Sequence, residues 1–134
     1  MVSIERPPHL TGWTHEFFPG LATAASALAL HGRPGIVGSR MWQWLTGLPS
    51  YAREDSDIDL VIDMLPGPQA GVMQALEEFA DRSSLHVDAE LSAPEWGEAH
   101  WRELASGSPS IMVKSLGGVR LVARAEACAA LGVL

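Results

Sequence analysis

The chain has 134 residues, of which 47% are hydrophobic, and this suits one compact domain with a real core while being too short for two ordinary domains. Its formal net charge of -7 excludes a sequence-independent hold on long nucleic acid, which needs a basic face. The single cysteine, Cys128, excludes an internal disulfide and fits a reducing compartment. Because no apolar run approaches the length that crosses a bilayer, we expect a cytoplasmic protein with no membrane contact.

The N-terminal quarter, residues 1–34, is expected to form a helical lead-in within the single domain 1–134. A helix predicted at 11–18 is interrupted by Pro19 and Gly20, and a second helix at 21–31 ends at a Gly-Arg-Pro-Gly segment. Ile36 and Val37 then form a very short buried strand. This strand opens the core region, residues 35–123.

The next two predicted elements contain the most informative residues. From Ser39 the apolar residues recur at helical spacing, with Ser39 able to cap the helix start and Gly47 able to end the helix. The same spacing predicts that Trp42 and Trp44 pack in the core. After a loop, residues 57–63 alternate between carboxylates and apolar side chains, which predicts a strand with Asp57 and Asp59 on one face. Asp63 shares that face, but it lies about 20 Å along the strand from Asp57 and is assigned to the strand end.

The second half of the chain is predicted to continue the alternation of helices and strands. In chain order the segments are an amphipathic helix at 69–83, an alternating strand at 85–91, a helix from Pro94 to about Ala105, strands at 111–116 and 119–123 joined by a hairpin turn, and a helix from Arg124. This order predicts an α/β or α+β domain with one mixed sheet flanked by helices.

The pair of carboxylates at the start of the second predicted strand indicates metal-dependent phosphoryl or nucleotidyl transfer. Mg²⁺ takes hard oxygen ligands, and residues two apart on a strand lie about 6 to 7 Å apart and point the same way. Asp57 and Asp59 are therefore the candidate ligands of Mg²⁺ or Mn²⁺. A neighbouring strand offers a third carboxylate, either Asp88 or Glu90, and we prefer Asp88 because it lies between two apolar neighbours.

The strand-to-helix turn at Gly38 and Ser39 is the candidate phosphate site. A glycine lets the backbone approach phosphate oxygens, and the helix that starts there presents free N–H groups. Arg40 borders the site and either neutralises a triphosphate or is simply solvated. Lys114 either reaches a phosphate as a point charge or marks a sheet edge. The five histidines show no metal-ligand spacing, so His86 is predicted to be an ordinary strand residue.

The order of these features resembles a known superfamily. A Gly-Ser pair, an apolar helix, an Asp-x-Asp strand and a later strand carboxylate resemble the polymerase-β-like nucleotidyltransferases. The segment from Gly38 to Pro49, with Trp42 and Thr-Gly-Leu-Pro at 46–49, followed by Ser-Asp-Ile-Asp-Leu at 56–60, is similar to the phosphoribosyl-dephospho-CoA transferase family. The resemblance covers roughly residues 35–122.

This resemblance implies a specific reaction. The enzyme would move a phosphoribosyl-dephospho-CoA group from its triphosphate precursor, triphosphoribosyl-dephospho-CoA, to a serine of the acyl-carrier protein of malonate decarboxylase, with release of pyrophosphate. By the same resemblance Asp57 and Asp59 would hold Mg²⁺. Asp88 would complete a second metal site and help to deprotonate the serine, while Gly38 and Ser39 would bind the β and γ phosphates.

Two alternatives stay open at this point. One keeps the fold but uses ATP or another NTP on a different hydroxyl acceptor, and the other is a catalytically silent relative that binds a nucleotide or a protein. Members of the resembled family carry an additional N-terminal domain, whereas 37 residues precede Gly38 here. Both a shortened relative and a fragment of a longer protein are compatible with that number.

Overall fold

The computed structural model describes residues 6–133, in which it contains six α-helices and six β-strands. The elements are α1 (Leu10–Phe17), α2 (Ala22–Ala29), β1 (Gly32–Val37), α3 (Gly38–Thr46), β2 (Ile58–Met64), α4 (Val72–Ser83), β3 (Val87–Ala93), β4 (Gly97–His100), α5 (Trp101–Ala105), β5 (Ser110–Ser115), β6 (Gly118–Ala123) and α6 (Arg124–Leu131). Single 3-10 turns follow α1 and α3. None of the helices in this range is long and apolar enough to cross a membrane.

The six strands form one mixed sheet in the order β1-β2-β3-β4-β5-β6. Strands β2 and β3 are parallel, as expected for two strands joined through the crossover helix α4, and all other neighbours are antiparallel. The prediction of an α+β domain with a single mixed sheet is confirmed. This architecture is consistent with a nucleotidyltransferase-like fold.

The two faces of the sheet differ sharply in chemistry. In β2 and β3 every second side chain is buried, and these residues join the helices in one hydrophobic core. The amphipathic pattern predicted for α4 is confirmed, because Val72, Leu76 and Phe79 are fully buried in that core. The intervening residues of β2 and β3 include Asp59, Asp88 and Glu90, and they lie on the opposite face. The alternation thus places the predicted carboxylates outside the core.

The prediction of a helix from Pro94 to about Ala105 is wrong over most of its length. Pro94 lies in a turn, residues 97–100 form β4, and only Trp101–Ala105 are helical. Gly97 adopts φ +130°, and the backbone of Lys114 on β5 packs so closely that a side chain at Gly97 would collide with it. Tertiary pairing with β3 and β5 therefore overrides the favourable position of a proline at a helix start.

Strand β1 is longer than the predicted pair Ile36 and Val37. It begins at Gly32 and includes the Gly-Arg-Pro-Gly segment that the sequence predicts to be a helix stop. Pro34 is tolerated because β1 lies at the edge of the sheet, where a missing N–H removes no ladder hydrogen bond. Gly32 lies against the carbonyl of Asp63 on β2, where a side chain would not fit.

Candidate active site

The turn from β1 into α3 brings the backbone of Gly38 against the side chain of Asp59. Val37 pairs with Asp59 across the two strands, so the next residue of β1 reaches the same level of the sheet. Gly38 adopts φ +71°, and a Cβ atom there would overlap Asp59 Oδ2. Both the backbone conformation and the close approach require a glycine at this position.

Ser39 lies in the first turn of α3 and is half-buried. The expectation that Ser39 caps this helix is wrong, since α3 begins at Gly38, its N-cap residue is Val37, and the Val37 side chain makes no capping hydrogen bond. Among residues 6–133 the N–H groups of this first turn therefore have no side-chain acceptor, and an anion can take that place.

Asp59 and Asp88 are directly paired on the parallel strands β2 and β3. Neighbouring strands lie about 4.8 Å apart, so the two carboxylates crowd one another on the same face. Burial raises the pKa of Asp59, and the negative charges of Asp88 and then Asp57 raise it further, against weaker opposing effects of His86 and Arg40. Burial and the neighbouring carboxylates therefore both disfavour the ionised form of Asp59.

Asp57, His86 and Asp88 form a cluster that could hold a metal ion. One potential ligand atom from each of the three residues lies within 4.8 Å of the others. The N–H of Ile58 donates to the carbonyl of His86 at 2.9 Å, and this bond aligns the beginning of β2 with the segment before β3. Sequence reasoning missed His86, although its i, i+2 relation to Asp88 on a strand was a usable signal.

Asp88 accepts hydrogen bonds from two histidines on the same oxygen. Asp88 Oδ1 lies 3.1 Å from His86 Nε2 and 3.0 Å from His100 Nε2. Partial burial acts to raise the pKa of Asp88, but the hydrogen bond from His100 and the combined effects of His86 outweigh it, so the pKa is lowered. Asp88 is therefore ionised at neutral pH, as a metal ligand must be.

The donor set fits a hard divalent cation. Asp57 and His86 directly precede β2 and β3 and cluster with Asp88 of β3. Asp59 of β2 pairs with Asp88 at the same end of the sheet. Oxygen-rich sites with water-accessible ligands suit Mg²⁺ and Mn²⁺, and Mn²⁺ also accepts imidazole. The raised pKa of Asp59 is the electrostatic mark of carboxylates that a bound cation would neutralise.

Arg40 occupies a different environment from the one expected for a phosphate ligand. The residue is only 5% exposed, and its guanidinium donates to the carbonyls of residues 53, 54, 56 and 57 at distances between 2.6 and 3.2 Å. The rings of Trp13 and Phe18 flank the same group at 5.9 and 5.5 Å. We therefore assign Arg40 to holding the loop that ends at Asp57, and its predicted contact with phosphate stays a prediction.

Lys114 and Glu90 lie further along the same face of the sheet. Lys114 Nζ donates to Glu90 Oε1 at 2.8 Å, and this hydrogen bond raises the pKa of Lys114. Glu90 is therefore engaged with a lysine, while Asp88 joins the cluster with Asp57. This geometry supports the choice of Asp88 over Glu90 as the third carboxylate, and it leaves Lys114 paired rather than poised beside Gly38.

Comparison with known proteins identifies relatives over most of the chain. A family model described as "Phosphoribosyl-dephospho-CoA transferase MdcG C-terminal domain" matches residues 10–125. A phosphoribosyl-dephospho-CoA transferase of Xanthomonas axonopodis pv. citri is 34% identical over 119 residues, which is 88% of this chain and 54% of the relative. The enzyme of the same name from Xanthomonas euvesicatoria pv. vesicatoria is 37% identical over 105 residues, covering 78% of this chain and 49% of the relative.

A more distant relative with that name, from Bradyrhizobium diazoefficiens, is 29% identical over 135 residues. The match covers 92% of this chain and 57% of the length of the relative. The chain thus spans about half the length of the curated relatives it matches. Among solved structures, none matches the chain. The match of the family model to most of the chain shows that the protein belongs to the phosphoribosyl-dephospho-CoA transferase family, in the part that the C-terminal domain represents.

Proposed function

We propose that this chain carries the catalytic centre of a metal-dependent nucleotidyltransferase that moves a phosphoribosyl-dephospho-CoA group onto a serine of an acyl-carrier protein. The observation that carries the proposal is the meeting of Asp57, Asp59 and Asp88 at the end of the sheet where Gly38 opens α3. Family membership supports the donor, since the relatives are named for phosphoribosyl-dephospho-CoA.

The three aspartates divide the work at this centre. Asp57 and Asp59 would hold Mg²⁺ or Mn²⁺, Asp88 would complete the ligand set, and His86 is close enough to join it. A bound metal would neutralise charge on the triphosphate and on the departing pyrophosphate. Asp88 stays ionised because of its histidine partners, so it can bind a cation and accept a proton from a serine hydroxyl.

The turn at Gly38 positions the triphosphate. The first N–H groups of α3 face outward at a helix start and bind the β and γ phosphate oxygens, with the Ser39 hydroxyl as an additional donor. The serine oxygen of the acceptor attacks the α-phosphorus in line. A new P–O bond to serine forms, the bond to pyrophosphate breaks, and the serine proton moves to the Asp88 carboxylate.

The test is transfer and binding with the purified chain. Triphosphoribosyl-dephospho-CoA, Mg²⁺ and the acyl-carrier protein of malonate decarboxylase are incubated with the chain, and the carrier is analysed by mass spectrometry. We expect the carrier mass to increase by one prosthetic group and the precursor to raise the melting temperature of the chain only when Mg²⁺ is present. The absence of both the mass increase and the Mg²⁺-dependent thermal shift would overturn the proposal.

Matched substrates and variants separate this proposal from its alternatives. If the chain releases pyrophosphate from ATP in the absence of triphosphoribosyl-dephospho-CoA, it is instead a nucleotidyltransferase that uses an NTP and a different hydroxyl acceptor. Asp57→Asn and Asp59→Asn should abolish transfer. If both variants retain full transfer, the carboxylates are not a catalytic metal site.

A further inference from the structure

We propose that His100 is a positioning residue for Asp88, held with its proton on Nε2 so that it donates to Oδ1 and fixes the orientation of the carboxylate. This inference rests on the proposed metal site but adds a residue from a different strand. His100 is the last residue of β4 and lies at the start of α5. Neither a metal-ligand spacing nor a sequence motif connects it with Asp88, twelve positions away.

The first step is the N-cap of α5. His100 occupies the N-cap position, where His100 Nδ1 accepts a hydrogen bond from the main-chain N–H of Arg102 at 3.1 Å. A ring nitrogen that accepts from an N–H carries no proton itself. The remaining proton of the neutral imidazole must then be on Nε2.

The second step is the contact of His100 Nε2 with Asp88 Oδ1 at 3.0 Å. Because Nδ1 is committed to the cap, Nε2 donates to the carboxylate, and this bond requires no protonation of the ring. Backbone geometry thus fixes the direction of the bond. This hydrogen bond keeps the Asp88 carboxylate in one orientation. Residues that hydrogen-bond to metal ligands commonly orient them in this way.

The third step is the rigid attachment of His100 to β3. The next residue, Trp101, is buried, and its indole Nε1 donates to the carbonyl of Val87 at 3.0 Å. Glu90 also pairs with His100 across β3 and β4. Two adjacent residues therefore bind two adjacent residues of β3. His100 contacts the side chain of Asp88, and Trp101 contacts the main chain of Val87.

The contrast with His86 explains why a second histidine is present. Both histidines reach Asp88 Oδ1, but the structure shows no cap that determines the tautomer of His86 within the described residues. His86 also belongs to the cluster that could hold a metal ion, whereas His100 does not. His100 can hold Asp88 by itself, so His86 is free to bind metal without releasing the carboxylate.

The tautomer of His100 can be tested in the metal-free chain. Long-range ¹H–¹⁵N NMR correlations distinguish protonated from unprotonated ring nitrogens. We expect His100 to show a protonated Nε2 and an unprotonated Nδ1 in the presence of EDTA at neutral pH. A proton on Nδ1 would overturn the proposal directly, whatever the activity of the chain.

Two substitutions separate the cap from the contact with Asp88. The side-chain oxygen of asparagine replaces Nδ1 of histidine, so His100→Asn keeps the cap but loses the donor to Asp88. The amide nitrogen of glutamine replaces Nε2, so His100→Gln keeps the donor but loses the cap. Mn²⁺ affinity is measured by electron paramagnetic resonance, and stability is measured by thermal unfolding.

We expect His100→Asn to weaken Mn²⁺ binding about 10-fold with little change in melting temperature. Removal of a hydrogen-bond partner of a metal ligand typically lowers metal affinity by about this factor or more. His100→Gln should retain Mn²⁺ affinity and melt at a lower temperature. If the role of His100 is purely structural, the less stable variant His100→Gln should bind Mn²⁺ more weakly than His100→Asn. That result would overturn the proposal. If the Mn²⁺ affinities are as expected but the wild-type chain transfers no prosthetic group, the result counts against the proposed function and not against the role of His100.

His9 provides a matched control. It is the N-cap of α1, and its Nδ1 accepts from the main-chain N–H of Thr11 at 3.2 Å in the same manner. His9→Ala removes an equivalent cap, so it should lower the melting temperature without changing Mn²⁺ affinity. A fall in affinity in His9→Ala equal to that in His100→Asn would show that the effect is not specific to Asp88.

Discussion

Gly38 and Asp59 are in direct contact at the end of the sheet where β1 turns into α3, with the glycine backbone filling the space beside the carboxylate. The contact follows from the antiparallel register of β1 and β2, in which Val37 pairs with Asp59. A phosphate that binds the first turn of α3 would therefore meet the Asp59 carboxylate at close range. Such a meeting of two negative groups is favourable only with a cation between them.

Gly38→Ala should damage both stability and metal binding. The positive φ costs alanine about 1 to 2 kcal/mol, and the overlap with Asp59 adds roughly 1 to 3 kcal/mol because a packed group must move. We expect a lower urea midpoint and weaker Mn²⁺ binding. Urea unfolding and electron paramagnetic resonance measure the two effects.

Gly47→Ala is the matched control for this substitution. Gly47 also has φ +71°, but apart from its own helix and chain neighbours, nothing in the described part of the chain lies within 4 Å of an added Cβ. It should lose about 1 to 2 kcal/mol and leave Mn²⁺ affinity unchanged. Equal effects of the two variants on stability and affinity would show that the contact between Gly38 and Asp59 has no consequence.

Asp59→Asn should stabilise the metal-free chain while removing its activity. The folded-state pKa of Asp59 is raised above its ordinary value of 3.8 by burial and by Asp88 and Asp57. The folded state then binds this proton more tightly than the unfolded state does. Its favourable contribution is present below about pH 3.8 and is lost as pH rises through the raised pKa.

The difference between wild type and Asp59→Asn should therefore grow with pH in the window that begins near 3.8. Urea unfolding across a pH series in EDTA measures it, and the variant should be the more stable at neutral pH. Parallel profiles of the two proteins would contradict the electrostatic crowding at this site. In saturating Mg²⁺ the advantage should disappear, because a bound cation compensates the carboxylate in the wild type.

Asp57→Asn and Asp88→Asn should each weaken Mn²⁺ binding by at least 10-fold, since each removes a charged ligand from the cluster. Asp63→Asn is the control. Asp63 lies near the far end of β2, paired with Arg33 and Ser92, and should leave the affinity within about 2-fold of wild type. Affinity losses of equal size in all three variants would indicate a general effect of negative charge rather than a site.

Arg40→Lys should destabilise the chain although the charge is retained. A lysine ammonium cannot reproduce the planar set of donors that binds four successive or near-successive carbonyls of the loop before Asp57. We expect a loss of about 2 to 4 kcal/mol in urea unfolding. Arg53→Lys, at a side chain that is 87% exposed, should change stability by less than about 0.5 kcal/mol. Equal stability of both variants would refute the assignment of Arg40 to the loop.

Much of the architecture is visible in local sequence patterns. The alternation at 57–63 and 85–91 predicts strands with Asp57, Asp59 and Asp88 outside the core, because period-two patterns need no information from distant residues. Both strands exist, although β2 runs over Ile58–Met64 and β3 over Val87–Ala93. The amphipathic period of α4 and the hairpin of β5 and β6 are local in the same way and are confirmed.

The errors occur where long-range pairing competes with local preference. Pro34 and Pro94 are correctly read as breakers of helices, but a sequence cannot show that one lies in an edge strand and the other precedes β4. Trp42 is another example. Helical spacing predicts it to be a core residue, yet it is 38% exposed, because only the packing of α3 on the sheet decides which face of the helix is covered.

By itself, the sequence predicted the fold class and the aspartates on which the proposed function rests, since carboxylate spacing on a strand depends only on backbone geometry. Tertiary structure alone decided the surroundings of these residues. It placed His86 and His100 on Asp88, committed Arg40 to loop carbonyls, and paired Glu90 with Lys114. These contacts join residues on different elements of the chain or depend on strand register, and register is established only when the whole sheet assembles.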